Sequence, residues 1–207
     1  MRQVFELPNN INVMNVIKTA NVGSNADLLP IVLRMYAKQG DVIYDVTYGK
    51  GVFWKNADMG IYDFKPTDLL SGTDFKALPY SDSTGDILVL DPPYMHGGAT
   101  IKKSINDCYK NQNTSHESVI RLYAGGILEA ARVLKKGGQI WVKCQDEIES
   151  GKQRMSHCEL IQLLQMLGFS LVDMFVLVFD GTPAMRENYQ KTARKNHSYL
   201  IVAKFKG

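Results

Sequence analysis

Little in this chain suits a stapled or secreted scaffold. Its 207 residues hold three cysteines, Cys108, Cys144 and Cys158, an odd and widely spaced set that argues against a disulfide framework. There is no Cys-x-x-Cys, and the four histidines lack metal-ligand spacing, so no structural metal is expected. Cys158 follows His157, but "SHCELIQLLQML" has helical apolar spacing and predicts a partly buried helix cysteine. No apolar run nears the roughly 18 residues a membrane span needs. The opening "MRQVFELPNN" has no apolar core of the secretory type, which leaves the cytoplasm as the expected location and no membrane partner. Repeats and Pro- or Ser-rich linkers are missing too, so residues 1–207 read as one domain around one core. Charge of one sign is nearly balanced, at +3. Its distribution is uneven: from Gly181 to Gly207, six basic residues (Arg186, Lys191, Arg194, Lys195, Lys204, Lys206) stand against one acid, Glu187. Lys102, Lys103 and Lys110 form a second cluster. Such clusters suit a phosphate-bearing partner or form a solvated surface.

What the chain does have is alternation of strand and helix, the pattern of a parallel sheet covered on both faces. "SNADLLPIVLRMYA" (24–37) is a predicted helix capped by Ser24 or Asn25 and stopped at Gly40. "DVIYDVTY" (41–48) and "GIYDF" (60–64) are predicted strands, and "ILVL" (87–90) a buried one. A helix opens at a capping box of Thr114 and Glu117 and runs to Gly137, with "QIWVKCQ" as the next strand. Another helix opens at Ser156 with Glu159 and stops at Gly168. Strands over 169–179 and 197–205 close the chain.

The strand ends carry the chemistry. After the first strand, Asp45-Val46-Thr47-Tyr48-Gly49-Lys50-Gly51 pairs an acid with glycines two apart, which lets backbone approach a ligand closely. A tight structural turn is the alternative. Eighteen residues on, Asp63 is the predicted end of the second strand, placed for a ribose diol. Asp74 could accept a bond from an exocyclic amine such as adenine's, or simply form an Asx-turn. Asp91-Pro92-Pro93-Tyr94 follows the "ILVL" strand directly. It sets a carboxylate where open α/β sheets bind ligands, with two prolines that force the chain out of the sheet.

In this order these residues resemble the class I S-adenosylmethionine-dependent amino-methyltransferases, above all those acting on exocyclic amines of nucleic-acid bases. "ARVLKKGGQIWV" (131–142) and "RKNHSYLIVAKF" (194–205) are similar to later segments of that family, and the likeness runs in islands from about Asn25 to Phe205. The resemblance implies a Rossmann-like α/β fold, with a mostly parallel twisted sheet, helices on both faces and an antiparallel C-terminal strand. It implies S-adenosylmethionine as cofactor, held by Asp45, Thr47, Tyr48, Gly49, Gly51, Asp63, Asp74 and Phe75. It implies Asp91, the Pro92 carbonyl and a stacking Tyr94 as catalytic groups. Pro93, Lys102, Lys103, Arg186, Lys191, Arg194 and Lys195 would then meet the substrate. The base would have to leave the duplex to be reached. No Pro-Cys pair is present, so the covalent cysteine route to ring carbons is not expected.

Two features depart from the family. Val46-Thr47 stands where Pro-Phe is common, so an aromatic contact is lost or passes to Tyr48. The chain also leaves no room for a separate target-recognition domain, so the segments 95–113 and 181–196, a second copy or a recognition partner would have to supply it. DNA adenine N6 ranks first as target and cytosine N4 behind it, because the latter's enzymes more often carry Ser in place of Asp91. RNA guanine N2 is the nearest rival. A non-catalytic nucleic-acid-binding subunit is the reading of a different class.

Overall fold

The "ILVL" run is apolar on both sides because its strand is covered on both sides. In the computed structural model, which describes residues 16–93, 115–181 and 192–207, it lies in the middle of a seven-stranded sheet. The strands are β1 (Ala20–Val22), β2 (Val42–Asp45), β3 (Asp63–Pro66), β4 (Gly85–Leu90), β5 (Leu134–Cys144), β8 (Phe169–Val178) and β9 (His197–Phe205). Their order across the sheet is β1-β8-β9-β5-β4-β2-β3. Every neighbouring pair is parallel except those made by β9, which is antiparallel to both β5 and β8. A separate hairpin, β6 (Glu147–Glu149) with β7 (Lys152–Arg154), follows β5.

Alternate side chains of the central strands feed two cores. Leu88, Leu90, Ile140 and Val142 face the helices α2 (His116–Val133) and α3 (Ser156–Met166), and pack with Val119, Tyr123, Ile127 and Leu160. Ile43, Ile87, Val89 and Trp141 face α1 (Asn25–Tyr36) and a one-turn 3-10 helix (Val52–Trp54), and pack with Leu28, Leu29, Val32 and Trp54. Truncating any of these fully buried leucines costs about 2–5 kcal/mol. The mostly parallel sheet, the two helical faces and the antiparallel closing strand are as the sequence predicts.

Local boundaries differ in instructive ways. Ser24 caps α1 as expected: Asp27 Oδ2 accepts the Ser24 N–H (2.9 Å) and hydroxyl (2.6 Å). Thr114 lies outside the described residues, and the cap of α2 is Ser115, whose side chain accepts the Ser118 N–H at 3.2 Å. Glu117 instead pairs with Arg121 one turn on. α2 ends at Val133 rather than Gly137, because Leu134 turns extended and begins β5 opposite Gly85. Ser156 is the first residue of α3 and not its cap, which is Met155. Gly168, with φ +88°, does stop that helix. β1 and the β6–β7 hairpin are too short and polar to show a two-residue period. No helix among the described residues is long and apolar enough to cross a membrane.

Candidate active site

β2 is the switch point of the sheet, with β3 on one side and β4 on the other. The carboxyl ends of these strands open a crevice, where such sheets bind ligands. Residues after β2 line its floor. Gly49 (φ +55°) and Gly51 (φ +67°) both adopt left-handed backbone, so the turn needs glycine there. The Gly51 N–H returns to the Tyr48 carbonyl (2.9 Å), and Gly51 then leads into the 3-10 turn that carries Trp54. A Cβ on Gly51 would collide with the Tyr48 ring, which folds back over the turn and meets Phe64 edge-on at 6.0 Å.

Asp45 is buried beneath this turn. Its Oδ2 accepts the Trp54 indole N–H and its Oδ1 the Thr47 N–H (2.9 Å). Burial pushes its carboxyl up to about 7 despite those two donors, and the charge of Asp91 adds to the rise. Thr47 explains the departure from Pro-Phe: its hydroxyl accepts the backbone N–H of Asp91 at 2.7 Å and ties the end of β2 to the end of β4. Val46 beside it is buried in the core against α2.

Asp91 is the residue at which the arrangement is least satisfied. The residue is half-buried, yet its Oδ1 is sealed from solvent and has no hydrogen-bond partner among the described residues. Burial raises its carboxyl above the ordinary range, and the charge of Lys143 opposes that rise. Lys143 is one position beyond the Leu90–Val142 pair on β5, fully buried, with Nζ 2.5 Å from the Ser198 hydroxyl on β9. Burial lowers its ammonium, and Asp91 opposes that in turn. Pro92 is buried and Pro93 half-buried as the chain leaves the sheet. Tyr94, Lys102, Lys103, Arg186 and Lys191 lie outside the described residues. Arg194 and Lys195 precede β9, whose start adjoins the end of β5, so they stand on the same edge as Asp91.

One placement from the sequence needs correction. Asp63 begins β3 rather than ending it: it is in register with Val42, at the far edge of the sheet, about 10 Å from the Asp45 end. There it pairs with Lys65 at 3.1 Å. The first acid past the carboxyl end of β3 is Asp68, whose Oδ1 accepts the Ser71 N–H (2.7 Å) within a tight turn. A signal for this was present, since Pro66 marks the end of an edge strand. Asp74 forms the Asx-turn, accepting the Lys76 N–H at 3.0 Å, with the Lys76 ammonium 3.4 Å away. Phe75 packs toward Leu90 and Gly126 of α2. Lys143 was also missed, although a lysine inside "QIWVKCQ" is the kind of buried charge that asks for a reason.

No protein-family model matches the chain, and no curated protein matches it in sequence. Solved structures match it in fold. A provisionally named methyltransferase from Bacillus halodurans C-125 aligns with TM-score 0.51 and 18% identity, over 87% of this chain and 98% of that one. A chain of the complex between the Haloferax volcanii Trm112 methyltransferase activator and a provisionally named methyltransferase aligns with TM-score 0.50 and 16% identity, over 87% and 88%. A provisionally named DNA modification methylase from Thermus thermophilus aligns more loosely, with TM-score 0.45 and 16% identity over 65% of this chain. The present chain covers 52% of that protein's length. At such identities the likeness is one of architecture: the chain has the class I, Rossmann-like methyltransferase fold.

Proposed function

We propose that the chain transfers a methyl group from S-adenosylmethionine to an exocyclic amine of a DNA base, with adenine N6 as the first candidate. The carrying observation is Asp91 Oδ1, a buried acceptor without a partner among the described residues at the end of β4, held beside the glycine turn of β2 by the Thr47 hydroxyl. Buried polar atoms are nearly always paired, so one left open in a ligand crevice suits a donor that arrives with substrate. The crevice also fits the cofactor: the Gly49–Gly51 turn allows close backbone approach, and Asp68 offers a carboxylate at a neighbouring strand end for a ribose diol. When bound, S-adenosylmethionine supplies an electrophilic methyl group on a sulfonium.

The chain's own residues do the rest. An amine conjugated to a base ring is a poor nucleophile. Asp91 and the Pro92 carbonyl would accept its two hydrogens and shift electron density toward nitrogen. The prolines fix the direction of that carbonyl. Tyr94 would stack on the base and hold the nitrogen in line, so that positioning supplies much of the acceleration. Lys143 favours the ionised form of Asp91 from behind. Arg194 and Lys195, with the basic residues of the neighbouring segments, would bind phosphates.

Incubation with methyl-labelled S-adenosylmethionine and unmodified genomic DNA, followed by nucleoside mass spectrometry, tests this. N6-methyladenine supports the reading, and N4-methylcytosine keeps the mechanism but corrects the base. Label in RNA alone moves the target to guanine N2. Cofactor binding with no methylated nucleoside in either polymer favours a non-catalytic binding subunit.

A further inference from the structure

Three side chains that the proposed methyl transfer does not use stand in a line beside the end of β5. The Cys158 Sγ lies 3.3 Å from His157 Nε2, and His157 Nδ1 lies 2.7 Å from Asp146 Oδ1. Asp146 is buried, His157 mostly so, and Cys158 is exposed rather than partly buried as its helical spacing predicts. A carboxylate can only accept, so Nδ1 carries a proton, and in the neutral ring Nε2 presents its lone pair to the thiol. Other contacts hold this geometry. The Tyr199 ring of β9 stacks on the imidazole (4.2 Å, 26°), and its hydroxyl donates to Asp146 Oδ2 at 3.3 Å. His197 Nε2 supports the same hydroxyl at 3.0 Å. Glu159, the next acid along α3, is turned away to His116.

A purely structural reading accounts for part of this. Asp146 also accepts the His157 backbone N–H (3.3 Å) and so steadies the start of α3. That role needs neither the imidazole in the Asp146 line nor a thiol at its free nitrogen. Nucleophile, base and orienting acid within hydrogen-bond reach are the arrangement that activates a thiol, and Cys158 sits in the first turn of an 11-residue helix, where the dipole favours a thiolate.

We propose that Cys158 is an activated thiol and a modification site for hydroperoxides. His157 Nε2 takes the Sγ proton, and the thiolate attacks one peroxide oxygen. The S–O bond forms as the O–O bond breaks, and the leaving hydroxide (or alkoxide, for an organic hydroperoxide) takes the proton back from Nε2 as water (or alcohol). Sulfur is oxidised by two electrons to a sulfenic acid and the peroxide is reduced.

The test uses the intact chain with hydrogen peroxide as oxidant, dimedone as trap and peptide mass mapping to separate the three cysteines. Cys158 should be trapped about tenfold faster than N-acetylcysteine under the same conditions. His157→Gln should bring it back to the free-thiol rate without changing the melting temperature by more than a few degrees. A wild-type rate equal to that of N-acetylcysteine overturns the proposal, whether or not the variant folds. So does an unchanged rate in His157→Gln.

Discussion

Two corners of the molecule bury charge in opposite ways. At the ends of β2 and β4, Asp45, Asp91 and Lys143 share a low-dielectric space, and Asp91 Oδ1 has no hydrogen-bond partner among the described residues. Behind β5 the polar groups are cross-linked: His116 faces Glu147 at one ring nitrogen (2.9 Å) and Glu159 at the other (2.8 Å). The His116 backbone N–H meets Glu149, which also holds Arg154. Satisfied networks specify packing, whereas a buried group left open asks for its own reason, and an arriving donor is the one a ligand crevice supplies. The contrast separates a site from a strut.

The sharpest test removes the unsatisfied acid. Asp91→Ala is expected to lower methyl transfer by about a hundred- to a thousandfold, the range seen when a pre-organised polar group is lost at a reacting centre. The melting temperature should hold or rise, because a buried charge lacking its full set of partners leaves with the side chain. A variant that stays active, or one that unfolds, would put Asp91 with the struts.

Glu147→Ala should behave in the opposite way. Its carboxylate is buried against a His116 ring nitrogen, and leaving a buried polar partner unsatisfied costs about 1–3 kcal/mol. Chemical denaturation should show that loss, while turnover per folded molecule stays near wild type. A selective fall in turnover would mean that the two corners are coupled.

Lys143→Met probes the join between them. The buried ammonium holds Asp91 toward its ionised form, so its removal should raise the Asp91 carboxyl further. In the proposed mechanism methyl transfer needs the carboxylate, hence the acidic limb of the pH–rate profile should move to higher pH, with the volume of the side chain largely retained. A limb that does not move would show that Lys143 does not tune Asp91.

How far sequence reasoning carries differs between the corners for the same physical reason. Apolar runs and helical periods come from deep burial, so β4, β9, α1 and the inner part of β5 are legible, as is the position of Asp91 at the end of an apolar run. The glycine turn is legible because only glycine takes both positive φ values. Edge elements bury one face or none, and β1, β6, β7 and the bounds of β3 are therefore hidden. The side-chain network around His116 and His157 is hidden for another reason: its members come from α2, β6, α3 and β9, and nothing in their spacing along the chain announces that they meet. The exposure of Cys158 escapes the sequence on the same ground, since helical period says which face a residue shares but not what stands across from it.

The slip in β3 offers the smallest and most specific test. Placing its end at Asp63 puts a carboxylate on the far edge of the sheet, where its neighbour Lys65 already neutralises it in solvent. Placing the end at Pro66 makes Asp68 the first acid after the strand, next to Thr67, whose carbonyl accepts the Tyr48 N–H. One charged hydrogen-bond partner lost from a ligand costs about 1.5–3 kcal/mol, part of which the Ser71 turn can return by reorienting. Titration calorimetry with S-adenosylmethionine should therefore show Asp68→Ala weaker by roughly tenfold and Asp63→Ala unchanged. The reverse ranking would mean that the cofactor does not lie over the carboxyl ends of β2 and β3. Two weakened variants would point to a fault in the strand itself, because only a shifted β3 can disturb both of its ends at once.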